Sequence, residues 1–107
     1  QLIIAFNYGG RAEIVRAVKQ IILDKLELND IDEESIENRL YTSGIPHPDL
    51  IIRTAGEKRS SNFLLWQSAY SEYYFTDVLW PEFNKDDAKA AIDEYLSRNR
   101  RYGSLHT

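Results

Sequence analysis

Arg53, Arg59, Ser60, Ser61 and Glu72 are the groups of this chain best placed to do chemistry, and they fall within one short stretch. Two guanidinium groups offer planar, permanently charged donor forks that match phosphate oxygens. Ser60 and Ser61 add hydroxyl and backbone N–H donors, and Glu72 adds a hard oxygen ligand suited to magnesium. The combination suits a diphosphate held together with a divalent cation. A plainer reading has Arg53 and Arg59 pairing with Asp49, Glu57 or Glu72 as structural ion pairs, and spacing alone does not choose between the two.

The elements that must position these groups can be read from apolar periodicity. Residues 2–6 form a continuous apolar run, the pattern of a strand buried on both faces of a parallel sheet. Asn7, Tyr8, Gly9 and Gly10 break it. From Arg11 to about Leu26 the residues Ile14, Val15, Val18, Ile21, Ile22 and Leu26 recur at helical spacing, which predicts an amphipathic helix. Asp30 with Glu33 resembles a capping pair for a short helix over 33–41, ended by Gly44, Pro46 and Pro48. Residues 49–54 read as a second buried strand that delivers Arg53 to the following loop. Ligands in open α/β sheets bind outside the carboxyl ends of strands, so a site is expected there. Phe63, Leu64, Trp66 and Tyr70 fit a short helix, and 73–79 has strand character. Asn84 caps a last helix that carries Asp86 and Asp87 in its first turn and Arg98, Arg100 and Arg101 at its end.

The chain has 107 residues, enough for one small domain, and a net charge of −4. That charge argues against general nucleic-acid binding, which needs a broadly basic surface. The absence of cysteine excludes a disulfide framework, thiol catalysis and thiolate metal sites. No secretory signal or membrane-spanning run is visible, and a cytoplasmic setting is expected. Starting at Gln1 and entering an apolar run at once, the sequence reads as a piece of a longer fold.

The stretches 49–67 (DLIIRTAGEKRSSNFLLWQ) and 69–83 (AYSEYYFTDVLWPEF) closely resemble the C-terminal signature of the cis-prenyltransferase family, in its bacterial undecaprenyl diphosphate synthase branch. Residues 7–11 (NYGGR) with Glu13 and Ile14 resemble an upstream signature, and residues 100–103 (RRYG) a terminal arginine-x-glycine element. The resemblance covers most of the chain in the right order. It implies an α/β fold, a parallel sheet with flanking helices, of which residues 1–107 would be the C-terminal portion of a single domain. It also implies an enzyme that adds isopentenyl diphosphate repeatedly to farnesyl diphosphate, giving a long cis-polyprenyl diphosphate that carries wall polysaccharides. On that resemblance Arg53, Arg59 and Ser61, with Ser60 beside them, bind the diphosphate of isopentenyl diphosphate, and Glu72 supplies a Mg2+ ligand. Arg101 and Gly103 would reach the same diphosphate region from the partner subunit of a homodimer. The family's aspartate-containing motif for the allylic diphosphate lies upstream of these residues. The chain is therefore expected to hold no catalytic residue of that kind and to be inactive alone. Lys58 stands where the family varies.

The remaining polar residues have plainer readings. His47 between prolines and His106 in the tail read as solvated loop residues, and Glu57 reads either as arranging the loop or contacting metal indirectly, or as a local ion-pair partner of Lys58 or Arg59. The aromatic group Trp66, Tyr70, Tyr73, Tyr74, Phe75 and Trp80 is large for a small domain, so core packing and a homodimer interface compete as explanations. Peripheral membrane contact would arise through the lipid product. Two other functions fit parts of the pattern: a non-catalytic partner subunit of a heteromeric prenyltransferase, and an anion-binding α/β module.

Overall fold

A computed structural model describes residues 1–98, which resolve into two compact units. The first comprises residues 1–46 and 60–66, and the second residues 47–59 and 67 onward. A two-stranded parallel sheet with accompanying helices is present, built from two of the three stretches read as strands, those at 49–54 and 73–79.

In the first unit, helix α1 spans Gly10–Leu23. Its buried row is Glu13, Ala17 and Ile21, an i, i+4 line, and Leu40 is likewise buried in this unit. Ala17 contributes no side chain beyond Cβ, so its neighbours can approach closely. Much of the predicted stripe lies outside this core, with Val15 53% and Ile22 71% exposed. The helix stops before the predicted Leu26 because the Asp24 and Lys25 N–H groups turn back to Gln20 and Ile22 carbonyls, and Lys25 takes a left-handed φ of 57°.

Helix α2 is shorter than predicted, Glu33–Glu37. Its cap is Asp32 rather than Asp30. The Asp32 carboxylate accepts the Ser35 N–H at 2.9 Å while the Ser35 hydroxyl accepts the Asp32 N–H at 2.7 Å. Serine at the third helical position closes the reciprocal box that Glu33 was expected to close.

Residues 2–6 form no strand, contrary to the apolar run's prediction. Leu2, Ile4 and Phe6 are 85%, 78% and 93% exposed. Apolar content makes a segment sheet-compatible, but a strand exists only where a neighbour takes up its backbone N–H and C=O groups.

In the second unit, strand β1 (Leu50–Arg53) pairs in parallel with β2 (Glu72–Phe75), in the register Leu50 to Glu72 through Arg53 to Phe75. The ladder extends past both ends. Glu72 N–H donates to the Asp49 carbonyl at 2.9 Å and Thr76 N–H to the Arg53 carbonyl at 3.0 Å. No helix forms over 63–70, which is a series of turns, and the predicted strand over 73–79 is confined to β2. Helix α3 (Lys85–Ser97) starts as predicted, because the Asn84 side chain accepts the N–H groups of Asp86 and Asp87 at 2.9 and 3.1 Å. Ala91 is the buried contact of α3. Arg98 follows directly, whereas Arg100, Arg101, Gly103 and His106 lie outside the described residues.

Candidate functional site

Arg53 is the last residue of β1, at the carboxyl end where α/β sheets place ligands. The chain then leaves along a fixed path. Ala55 N–H donates to the Val78 carbonyl and Gly56 N–H to the Thr76 carbonyl, both at 2.9 Å. Ala55 and Gly56 both adopt left-handed φ, 61° and 69°, and a Cβ on Gly56 would lie 3.0 Å from the Asp77 carboxylate. Glycine is favoured there by the backbone angle, and a larger residue would also have to displace the Asp77 carboxylate. Strand β2 and the residues after it thus hold the beginning of the arginine-bearing loop.

Further along, Arg59 carries a 70% exposed side chain whose guanidinium is paired with the Glu57 carboxylate. This is one of the ion pairs that the plainer reading expected, yet it is solvent-facing and leaves much of the donor fork open. An exposed pair of this kind is weak and displaceable by a doubly charged phosphate. Ser60 and Ser61 belong to the first unit. The Phe63 N–H closes onto the Ser60 carbonyl at 3.1 Å, and Ser61 and Asn62 between them take φ values of 50° and 66°. Two left-handed central residues are the φ signature of a type I′ turn.

Glu72 stands apart from Arg53. In the parallel register it lies level with Leu50, three residues from Arg53, about 10 Å along the strands at 3.3 Å per residue. Side-chain alternation also puts the two on opposite faces of the ribbon. Its carboxylate is held by Arg98, 3.7 Å away. Arg98 in turn donates to the Tyr73 carbonyl at 2.5 Å and reaches Glu94 at 3.3 Å. Among the described residues no three His, Cys, Asp or Glu side chains come together as a metal cage. A lone carboxylate suits a cation that takes most of its ligands from phosphate and water, which is how magnesium is usually held with phosphorylated substrates. Glu72 is of that donor type, and to act so its carboxylate would have to exchange Arg98 for the cation.

Glu13 is a feature that sequence reading did not resolve. It is 1% exposed, and its carboxylate accepts the Tyr8 hydroxyl and the Tyr41 N–H, the latter at 2.7 Å. A charged residue on the same helix row as Ala17 and Ile21 was the available signal. Also in the first unit, a groove of about 500 Å³ is lined by Arg16, Gln20, Asp24, Asn38, Arg39, Leu40 and Tyr41. Its charges are spent internally. Arg39 pairs with Asp24 at 3.0 Å and donates to the Ser35 carbonyl at 2.8 Å, while Arg16 stacks over the Tyr41 ring, 4.8 Å from its centroid. Hydrogen bonds from Gln20 and Arg39, with the Arg39 charge, hold the Asp24 carboxyl below its ordinary 3.8.

Most of the aromatic group is not core. Tyr70 is 62% and Trp80 72% exposed, Tyr73 stacks on Phe75 with centroids 5.6 Å apart, and Trp66 Nε1 donates to Glu37 at 3.2 Å. His47 is exposed. Among the described residues no helix is long and apolar enough to cross a membrane.

Comparison with known proteins matches residues 1–103 to the prenyltransferase family profile described as "Putative undecaprenyl diphosphate synthase". An isoprenyl transferase of Clostridium perfringens is 51% identical over 97% of this chain and 43% of its own length. A tritrans,polycis-undecaprenyl-diphosphate synthase (geranylgeranyl-diphosphate specific) of Thermoplasma acidophilum is 56% identical over 96% of this chain and 42% of its own. The crystal structure of lavandulyl diphosphate synthase from Lavandula x intermedia, in complex with dimethylallyl diphosphate, superposes with a TM-score of 0.84 at 43% identity. That match covers 91% of this chain and 44% of the other. The chain spans less than half the length of the relatives it matches.

Proposed function

The chain belongs to the undecaprenyl diphosphate synthase family of prenyltransferases, and on that premise we propose that it carries the isopentenyl diphosphate side of a cis-prenyltransferase site. Arg53, Arg59, Ser60 and Ser61 grip the diphosphate, and Glu72 contributes one oxygen to Mg2+. Arg101 and Gly103 reach the diphosphate region of the partner subunit in a homodimer. The allylic substrate is farnesyl diphosphate and the product a long cis-polyprenyl diphosphate lipid carrier, made in the cytoplasm with peripheral membrane contact through the product. Residues 1–107 act as one portion of a single catalytic domain.

The observation that most supports this reading is the exposed Arg59 guanidinium followed by two serines, on a loop leaving the carboxyl end of a parallel strand. In the reaction the alkene electron pair forms the new carbon–carbon bond as the allylic carbon–oxygen bond breaks. The electrons of that bond leave with the diphosphate, and a proton is lost to restore a double bond. Arg53, Arg59 and the serines hold the attacking alkene by its diphosphate, converting an encounter into a positioned step worth several kcal/mol. When bound, magnesium supplies positive charge to phosphate oxygens.

Calorimetric titration of isopentenyl diphosphate into the chain tests this. Arg53→Ala and Arg59→Ala should each weaken binding about 10- to 100-fold, the scale of a lost charge-assisted contact. Magnesium should strengthen binding, and Glu72→Gln should abolish that gain. Binding indifferent to both arginines would refute the assignment. In a radiolabelled isopentenyl transfer assay the chain alone should give no steady turnover.

A further inference from the structure

We propose that Asn62 is the positioning residue of the diphosphate loop, clamping the turn that carries Ser60 and Ser61 onto the amino end of α1. The inference rests on the reading that these serines contact diphosphate. Gly9, the residue before α1, makes no side-chain capping bond of its own. Asn62, distant in sequence, does the capping. Its backbone carbonyl accepts the Gly10 N–H at 2.7 Å, and its Oδ1 accepts the Arg11 N–H at 2.9 Å. Two of the helix's orphan donors are thereby satisfied by one residue of the loop.

The fit leaves no slack. A Cβ on Gly10 would lie 2.9 Å from both the Asn62 carbonyl oxygen and Leu65 Cγ, and one on Gly9 would lie 3.0 Å from Asn62 Nδ2. The Gly-Gly pair is thus the surface onto which the loop is pressed. The Tyr8 and Phe63 rings meet edge to face, 5.7 Å between centroids, on the residue after Asn62. Within the same few residues Ser61, Asn62 and Leu64 adopt left-handed φ of 50°, 66° and 48°. Non-glycine residues keep such angles only where the surroundings over-determine them. The clamp supplies that constraint, so the serine donors are pre-set before an anion arrives. Releasing it lowers the populated fraction of the competent loop and hence the apparent affinity.

The test is an NMR titration of the chain with inorganic diphosphate, reading the dissociation constant together with hydrogen-exchange protection of the Arg11 amide. Asn62→Ala should weaken binding about tenfold, the scale of one hydrogen bond, and strip protection from Arg11. Asn62→Asp keeps the Oδ1 acceptor and should restore the protection of Arg11. Gly10→Ala should weaken binding with Asn62 intact, and it carries the test with Asn62→Asp should Asn62→Ala not fold. Affinity unchanged in Asn62→Ala or Gly10→Ala while Arg59→Ala still weakens binding would overturn the proposal and leave the diphosphate reading standing. Arg11 protection lost in Asn62→Ala and not recovered in Asn62→Asp would also overturn it. Diphosphate binding that is absent, or insensitive to Arg59→Ala, would sink the diphosphate reading and the proposal with it.

Discussion

Replacing Glu13 by alanine should cost the first unit about 3–5 kcal/mol, and the structure says why. The side chain is 1% exposed and accepts two donors, the Tyr8 hydroxyl and the Tyr41 N–H. Removing the acceptor leaves each of these donors short of a partner, at about 1–3 kcal/mol apiece. Glu13→Gln keeps the volume, and with Oε1 accepting the Tyr41 N–H its amide NH2 can donate to the Tyr8 hydroxyl oxygen. A smaller loss than for alanine, below about 2 kcal/mol, is expected. Tyr8→Phe removes one partner, so combining it with Glu13→Ala should be less than additive, with a coupling of about 1–3 kcal/mol. Urea unfolding followed by Trp66 fluorescence, a reporter in the same unit, measures the four variants beside the parent chain. A Glu13→Ala cost below about 1 kcal/mol, or additivity within about 0.5 kcal/mol in the double-mutant cycle, would refute the assignment of Glu13 as the bridge between Tyr8 and the residue 41 backbone.

Asp24 should shape the acid limb of stability. Its carboxyl is held below 3.8 in the folded chain, so its contribution is present in full above that value and is lost as the pH falls through the lower folded-state value. Melting temperatures between about pH 5 and pH 2 should therefore fall less steeply in Asp24→Asn, and identical slopes would rule this out. At the loop, Glu57→Gln releases Arg59 from its ion pair and should tighten isopentenyl diphosphate binding less than about fivefold, the range of an exposed pair. Weaker binding in that variant would instead make Glu57 a direct participant in holding the substrate.

Legibility in the sequence followed how local the deciding interactions are. Helix α3 starts where Asn84 predicts because an N-cap acts on N–H groups two and three residues away. Strand β1 was readable because Leu50, Ile51 and Ile52 sit between turn formers, and the signature residues around it carried the family. The α2 cap was misplaced by two positions, since Asp30 and Asp32 look alike until the Ser35 hydroxyl selects one of them.

What the residues determined by themselves is the chemical inventory: two arginines and two serines able to bind phosphate, one carboxylate suited to a hard cation, and helices written by period and cap. Tertiary structure decided which of these groups meet. Parallel register places Glu72 level with Leu50 instead of Arg53 and gives it to Arg98. A carbonyl and amide at position 62 cap a helix that begins at position 10, and a carboxylate on α1 closes on Tyr8 and the residue 41 backbone. The apolar run at 2–6 forms no strand despite its composition. Composition and periodicity describe a segment's preferences, whereas pairing, register and burial depend on what the rest of the chain brings within hydrogen-bonding distance.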